Sequence, residues 1–418
     1  MHHAPAAGFA VATIRLIRCL AACVLLWWLP ASGVRASVAN APGANLEVYL
    51  VTYGPGDVYW ERFGHDAIEL RDAVGGEAIN FNYGMFDFNA KNFFLNFARG
   101  RMRYLMDAEP TEPEEADYVA AGRSITRQRL ALSPQQAGAL RDFLLWNLRP
   151  ENVGYPYDYY VDNCTTRVRD AFDKALGGII HTQLLTQTGS MTYRQQTVRL
   201  MRAQPWLMLV LDLGLGPYAD QPMNGWTESF LPEVLQHQLR SIRVPGAAGG
   251  NQPLVESETV LAPSRVVAPP ASAPDLRLPL AAAGLALALI LLATARWWRT
   301  GYALLVSMFC IAAGLVGVIL IALWTLTAHH SAWANANLLL FSPLAFLLSR
   351  AAWRLRHGHA PSRLAGTALS MQLLAVLAAI ALHALPGTVQ QNQPWILFAL
   401  PVWLAVAWTL RQERRAVT

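Results

Sequence analysis

Cys164 is the residue of this chain whose neighbours most favour chemistry. It lies between Asn163 and Thr165, whereas a structural cysteine usually packs among apolar side chains. The other cysteines all lie in long apolar segments: Cys19, Cys23 and Cys310. Because an exported domain normally pairs its thiols, the unpaired Cys164 is predicted to be a reactive nucleophile. A buried inert thiol and a metal ligand are the alternatives.

Cys164 is also predicted to begin a helix. Asn163 can act as the N-cap, and apolar residues follow at helical spacing from Val168 to Leu176. The free N–H groups and dipole of a helix N-terminus stabilise a thiolate and lower its pKa. The same groups can bind the oxyanion formed when the thiolate attacks an ester or amide carbonyl.

A thiolate nucleophile needs a base, and the polar part of the chain offers His65, His181 and His237. His65 is favoured because it begins a predicted strand directly after Gly64, a residue that permits close approach of backbone or substrate. The other two histidines are alternatives, as is a strand histidine without a chemical role. In the next predicted strand, Asn80 and Asn82 fall on one face, and Asn82 is the candidate to orient the imidazole.

The elements that must position these residues follow from periodicity and turn signals. Strands are predicted over 46–53, 64–70, 78–83 and 123–132, and a capped helix over 133–148. Residues 183–240 are predicted to be mainly helical, with a break over 214–222. The segment 205–211 favours a buried core helix, with a membrane-facing surface as the alternative. An α+β domain is therefore predicted over 45–244.

The composition indicates a membrane protein, with 54% hydrophobic and 15% charged residues. Five apolar segments predict a transmembrane region over 276–410, at about 276–295, 302–327, 337–349, 365–385 and 395–410. Residues 1–36 are predicted to be a secretory signal peptide; an N-terminal anchor is the alternative. The Pro-, Ala- and Ser-rich residues 245–275 predict a flexible linker.

Basic residues predict the orientation of the spans. Arginines follow the first, third and fifth apolar segments, whereas the loops after the second and fourth carry neither Arg nor Lys. Since cytoplasmic loops collect these residues, the polar domain is predicted outside and the tail 411–418 in the cytoplasm. The net charge of +5 needs no nucleic-acid partner, because much of the Arg excess lies in these loops.

The motifs carry a family resemblance. A strand histidine followed much later by Asn-Cys at a helix start resembles permuted papain-like enzymes, the fold of NlpC-type hydrolases and lecithin:retinol acyltransferase. More specifically, residues 52–56, 63–65, 82–88 and 162–167 are similar to the Lnb N-terminal periplasmic domain. That family joins such a domain to C-terminal membrane spans, and its named member is a bacterial lipoprotein N-acyltransferase.

The resemblance implies a multi-pass protein of the bacterial inner membrane with a periplasmic catalytic domain. Cys164 would carry an acyl-thioester and His65 would act as base, with a phospholipid donor, a lipoprotein acceptor, and no cofactor or metal. Candidate substrate-binding residues lie beside the nucleophile and at the predicted outer membrane face: Asn163, Thr165, His330, Asn335 and Asn337. A membrane-tethered cysteine amidase or peptidase acting on cell-wall peptide, and a non-enzymatic membrane-anchored binding domain, are the alternatives.

Overall fold

A computed structural model describes residues 34–86, 91–246, 249–385, 387 and 390–417. Most of the signal peptide predicted over residues 1–36 therefore lies outside the described residues. The first described element is helix α1, Val34–Asn40.

An antiparallel sheet forms the centre of the N-terminal domain. Within the described residues it has seven strands, in the order β6-β4-β3-β2-β1-β5-β9. The strands are β1 Leu46–Tyr53, β2 His65–Asp72, β3 Ala78–Phe86, β4 Met102–Pro110, β5 Ile125–Leu130, β6 Gly154–Tyr157 and β9 Val255–Ala262. Two short strands, β7 Arg243–Pro245 and β8 Asn251–Pro253, form a separate hairpin.

Strands β1, β2, β3 and β5 lie where the periodicity predicts them. Strand β4 was not predicted, although Met102, Tyr104 and Met106 alternate as buried residues along it. Strand β9 lies inside the segment predicted as a flexible linker and pairs with β5 as an edge strand. Its side chains are mostly exposed, so no apolar alternation marks it in the sequence.

Helices cover the sheet and complete the domain. They are α2 Phe93–Ala98, α3 Thr111–Ala120, α4 Pro134–Asn147, α5 Cys164–Ala175, α6 Ile179–Leu185, α7 Tyr193–Leu200, α8 Pro205–Gly214, α9 Gly225–Glu228 and α10 Pro232–Leu239. The main core lies between one face of the sheet and helices α4 and α5, where Leu50, Phe81, Leu144 and Phe172 are buried. The capping box predicted at Ser133 and Gln136 is present at the start of α4.

Five apolar segments long enough to cross a membrane follow, as predicted, among the described residues. Four contain long helices: α11 Arg277–Trp297, α12 Arg299–Leu326, α14 Arg363–Leu382 and α15 Gln393–Val417. Small residues allow the segments to approach closely, since Gly284 packs against the Phe398 backbone and Gly317 against that of Phe341. The chain thus joins a mixed α/β domain with an antiparallel sheet to five membrane segments.

The third segment, His330–Leu348, is not the regular helix that its composition predicts. It consists of 3-10 turns at His330–Ala332, Ala336–Leu339 and Pro343–Leu348, followed by the short helix α13 Ala351–Arg356. Pro343 has no backbone N–H to continue a helix. The amide of Gln372 donates to the Leu339 and Leu340 carbonyls, so the irregular backbone is satisfied inside the bundle.

Helix α8 fastens the domain to the membrane bundle. Leu209 and Leu213 pack against the bundle core, while Trp206 and Val210 are more than half exposed. This helix is therefore a surface element and not the buried core helix that was favoured from the sequence. Its apolar run resembles a core segment because one face is covered by the apolar spans.

Arg194 is the charged centre of the same junction. Its guanidinium donates to the carboxylates of Asp212 (3.0 Å) and Asp220 (2.7 Å), and all three side chains are buried. Asp212 in turn accepts from the Trp395 indole of α15 at 2.7 Å, and Asp220 accepts from the Gln391 backbone at 3.0 Å. One arginine thus balances two carboxylates that both bind the membrane bundle.

We predict that Arg194→Met lowers the free energy of unfolding by about 3–5 kcal/mol, because two carboxylates lose their buried counter-charge. The measurement is thermal unfolding of the full-length protein in detergent. Arg277→Met is the control, because its pair with Asp275 is exposed and solvent already screens it. Equal shifts of the midpoint in both variants would contradict the assigned role of Arg194.

Candidate active site

Asn163 holds the nucleophile helix α5 in place. Its side-chain oxygen accepts from the Thr166 backbone N–H at 2.9 Å, so Asn163 is the N-cap, as predicted, and Thr166 completes a capping box. Its side-chain nitrogen donates to the Tyr159 and Phe230 carbonyls. Asn163 is buried and its amide is engaged with backbone groups, which corrects its assignment as a substrate-binding residue.

The Cys164 thiol lies half-buried at the first position of α5. The Thr165 hydroxyl and the backbone N–H groups of Asp66, Thr165 and Cys164 favour the thiolate and act to lower the pKa of Cys164, as expected for a helix N-terminus. Burial nevertheless raises the pKa of Cys164 above its ordinary value, so the expected low pKa is wrong. Desolvation of the charged sulfur outweighs the hydrogen bonds.

His65 belongs to a hydrogen-bonded relay. Its Nε2 lies 2.9 Å from Oδ1 of Asn82, while Nδ2 of Asn82 donates to the Glu114 carboxylate at 3.1 Å. Because Asn82 uses its donor on Glu114, it presents an acceptor to His65, and Nε2 must carry the imidazole proton. The other ring nitrogen, Nδ1, is then free to accept a proton. The third polar group predicted beside the histidine is thus in hydrogen-bonding position.

The start of β2 lies close to the thiol. Asp66 directly follows His65 in that strand, and its backbone N–H is one of the groups that lower the pKa of Cys164. On the next strand, a methyl group added at Gly84 would lie 3.4 Å from Cβ of Cys164. Strands β2 and β3 therefore carry His65 and Asn82 on the part of the sheet that approaches Cys164, while their catalytic roles stay a prediction.

Glu114 is a site residue that the sequence did not reveal. Helix α3 places its carboxylate over β3, where it accepts from both Asn80 (2.8 Å) and Asn82. The prediction that these two asparagines share a face is thereby confirmed. Burial raises the pKa of Glu114, and the two amides and the nearby His65 oppose that rise. No local pattern marks Glu114, because its partners lie more than thirty residues earlier in the chain.

The imidazole is kept neutral by its surroundings. Tyr53 and Tyr118 stack in parallel with His65 at centroid distances of 6.1 and 6.4 Å. Burial lowers the pKa of His65, and the charge of Arg123 lowers it further, whereas Asn82 and Glu114 raise it. A neutral imidazole beside a protonated thiol can act as a general base once substrate binds.

Thr165 and Asp66 lie beneath the thiol. The Thr165 hydroxyl is 3.8 Å from the Cys164 sulfur, and the Asp66 carboxylate accepts from Thr52 at 2.7 Å. Thr165 is fully buried, so it supports the nucleophile and does not face substrate, which corrects its assignment as a substrate-binding residue. Burial, together with negative charge on Cys164, raises the pKa of Asp66 to about 7.

Tyr155 is a second site residue missed in the sequence. Its hydroxyl lies near Gly84 and Cys164, since a methyl group added at Gly84 would be 3.9 Å from Oη. Tyr155 is buried, and its hydroxyl has no hydrogen-bond partner among the described residues. Burial raises its pKa, so the phenol remains a proton donor at neutral pH. A buried, unpaired donor beside a nucleophile can bind a developing oxyanion.

The substrate-binding residues predicted in the membrane region belong to the third membrane segment. Asn335 and Asn337 are buried, and both side-chain amides donate to the Leu213 carbonyl at 2.9 Å. They join α8 to the bundle and so are structural residues. His330 is exposed and packs edge-on against Trp333. Its neighbour His329 makes the domain contact, stacking near Tyr159 at 6.0 Å.

The alternative bases occupy other environments. His181 lies in α6, where its ring packs edge-on against Trp226 at 4.6 Å. His237 lies in α10, with its Nδ1 3.3 Å from the Arg240 guanidinium. Neither contact belongs to the cluster around Cys164, so the geometry favours His65.

Two protein-family models match this chain. The model described as Lnb N-terminal periplasmic domain matches residues 36–202, and the Lnb transmembrane domain matches residues 272–416. The chain belongs to the Lnb family. No curated protein and no solved structure matches it. The chain is a multi-pass membrane protein of this family, whereas the permuted papain-like assignment stays a prediction.

We predict that Asp66→Asn speeds alkylation of Cys164 by iodoacetamide at about pH 8 but not at about pH 5. The pKa of Asp66 is raised to about 7, so its carboxylate opposes the thiolate only above that pH. The gain should approach about tenfold, equivalent to one unit of thiol pKa. Peptide mass spectrometry measures the alkylation of Cys164 separately from that of other cysteines.

Asp170→Asn is the control for this prediction. Asp170 lies on the same helix as Cys164, but its carboxylate is exposed and paired with Arg169. Its alkylation profile should match the wild type. If the alkylation rate of Asp66→Asn depends on pH in the same way as that of the wild type, the electrostatic role of Asp66 is contradicted.

We predict that Glu114→Gln lowers the rate of Cys164 acylation by a soluble p-nitrophenyl ester by about tenfold. A charge-assisted hydrogen bond to Asn82 is weakened, and each 1.4 kcal/mol corresponds to about one factor of ten. The acidic limb of the pH–rate profile should also move to lower pH, because the charge that raises the pKa of His65 is lost.

Glu115→Gln supplies the matched control. Glu115 is the next residue of α3 and pairs with Arg127 at 2.6 Å, away from the relay. Its variant should keep the wild-type pH–rate profile. The same change of profile in both variants would show that Glu114 acts through helix stability alone.

Proposed function

We propose that this protein is a membrane-bound thiol acyltransferase of lipoprotein N-acyltransferase type, with Cys164 as nucleophile and His65 as base. The supporting observation is the relay in which Glu114 orients Asn82 and Asn82 fixes the tautomer of His65 at the start of β2. Thiol acyl transfer requires a thiol nucleophile and an imidazole base that a third polar group orients.

In the first half-reaction, the Cys164 sulfur attacks the carbonyl carbon of a phospholipid ester. The thiol proton moves to Nδ1 of His65, while the Tyr155 hydroxyl donates to the oxyanion. The carbonyl–oxygen bond then breaks, and the lysophospholipid leaves as an alcohol that takes the proton from His65. The acyl chain remains on Cys164 as a thioester.

In the second half-reaction, the α-amine of a lipoprotein's lipidated N-terminal cysteine attacks the thioester carbonyl. His65 takes a proton from the amine and passes it to the Cys164 sulfur as the carbon–sulfur bond breaks. An amide and a free thiol result. The neutral imidazole favoured by burial suits both proton transfers, since it must accept a proton in each half-reaction.

Contacts between the site and the membrane region favour a lipid donor over a cell-wall peptide. The Tyr159 hydroxyl, in the turn before Cys164, lies 2.6 Å from the Ser331 hydroxyl of the third membrane segment. The Gly216 N–H donates to the Ser331 carbonyl at 2.6 Å. A nucleophile that is held against membrane spans can reach a lipid in the bilayer. A soluble peptide substrate does not need this contact.

The test is intact-protein mass spectrometry of the full-length enzyme in proteoliposomes with phospholipid and a diacylated lipopeptide. We expect a fatty acyl adduct on Cys164 that disappears, as N-acylated lipopeptide forms, when the acceptor is added. His65→Ala should lower the rate about 10²–10⁴-fold. The matched control, His237→Ala, should react as the wild type does.

Other outcomes decide between the alternatives. Cleavage of a cell-wall stem peptide without a lipid-derived adduct would favour the amidase or peptidase. Cellular function that survives Cys164→Ala and His65→Ala would favour the non-enzymatic binding domain. Either result refutes the acyltransferase mechanism.

A further inference from the structure

Helix α2 exposes an apolar surface. Phe94 is 82% exposed, and Leu95 and Phe97 are each about half exposed among the described residues. We call these three residues the α2 surface. Large apolar side chains grouped on one short helix mark an interaction site, because water solvates such a group unfavourably.

The α2 surface lies at the predicted outer end of a membrane span. Helix α12 ends at Leu326, and the Ala328 N–H donates to the Arg99 carbonyl, directly after α2, at 2.8 Å. His329 also lies against the residues after α2, since a methyl group added at Gly100 would be 2.9 Å from the His329 backbone nitrogen. Two exposed tryptophans, Trp324 and Trp333, flank this point, as expected at a membrane–water interface.

A row of aromatic rings connects the α2 surface with the nucleophile. Phe94 packs against Phe93 at a centroid distance of 5.4 Å, and Phe93 against Phe86 at 6.2 Å. Phe86 packs on Tyr104 at 4.7 Å, and Tyr104 on Tyr157 at 4.0 Å. The last ring of the row, Tyr157, lies 6.5 Å from the ring of Tyr155, whose hydroxyl lies near Gly84 and Cys164. An apolar route therefore runs from the exposed helix to the thiol.

Charge indicates what the surface contacts. Lys91, Arg99 and Arg101 are exposed on either side of the α2 surface. Apolar side chains flanked by basic ones are typical of segments that lie in a membrane interface, where the rings enter the acyl region and the cations meet anionic headgroups. The adjoining span α12 places that interface at the same level.

We infer that Phe94, Leu95 and Phe97 insert into the outer leaflet and that the aromatic row guides a phospholipid acyl chain from there to Cys164. The guiding role rests on the proposed acyltransferase function. Insertion of the α2 surface does not, since it follows from exposure, charge and the contact with α12.

Photo-crosslinking tests insertion directly. Phe94 is replaced by p-benzoylphenylalanine in the full-length protein, reconstituted in phosphatidylethanolamine–phosphatidylglycerol vesicles, and lipid adducts are measured by mass spectrometry. Val74 is the control position, because it is 78% exposed on the turn between β2 and β3. Lipid adducts at position 94 well above those at position 74 are expected. Equal yields at both positions would overturn the inference.

Acylation of Cys164 tests the guiding role. The double variant Phe94→Ser, Phe97→Ser should lose at least about tenfold in acylation by vesicle phospholipid, because two apolar anchors are removed. It should react normally with a water-soluble short-chain ester. The control double variant, Phe94→Leu and Phe97→Leu, keeps apolar side chains and should retain acylation by phospholipid.

Equal losses with both donors in the serine variant would overturn the guiding role, because the defect would then lie at the thiol. Failure of the proposed function has a different signature. Wild-type Cys164 would acquire no acyl adduct from either ester, while position 94 would still crosslink to lipid, and membrane insertion would stand.

Discussion

The two-sided amide of Asn82 is the interaction on which the candidate chemistry depends. One end accepts from His65 and the other donates to Glu114, so the carboxylate determines which way the amide points and the amide determines which imidazole nitrogen is protonated. Reversing the amide would present a donor to Nε2 and place the proton on Nδ1. The base would then lack a free lone pair at that nitrogen.

The thiol and the imidazole are both placed in surroundings that disfavour charge. Burial raises the pKa of Cys164 and lowers that of His65, so the resting pair is neutral. Backbone N–H groups at the start of α5 and the Tyr155 phenol supply compensation only when negative charge develops at the sulfur or the substrate oxygen. A site of this kind suits a reaction that begins when an apolar substrate excludes water.

The junction between domain and membrane explains how such a site is held beside lipid. Asn335 and Asn337 share the Leu213 carbonyl, and the Arg194 network reaches α15 through Trp395. These polar contacts are buried, so the loss of one partner would leave a buried donor or acceptor unpaired and would destabilise the fold. The domain is thereby fixed against the bundle at α8, and it contacts the bundle again directly after α2, where the Ala328 N–H donates to the Arg99 carbonyl.

The sequence by itself determined the elements whose signals are short-range. Alternation predicted β1 to β3 and the shared face of Asn80 and Asn82, capping predicted the start of α5 at Cys164, and apolar length predicted the five spans. These signals are readable because each depends on residues a few positions apart. Tertiary structure alone decided the rest. Glu114 and Tyr155 join the site through strands and helices distant in the chain. Four predicted substrate-binding residues are buried as structural groups: Asn163, Thr165, Asn335 and Asn337. The irregular backbone before Pro343 is satisfied by Gln372. Burial, which no local pattern encodes, also reversed the expected pKa of the thiol.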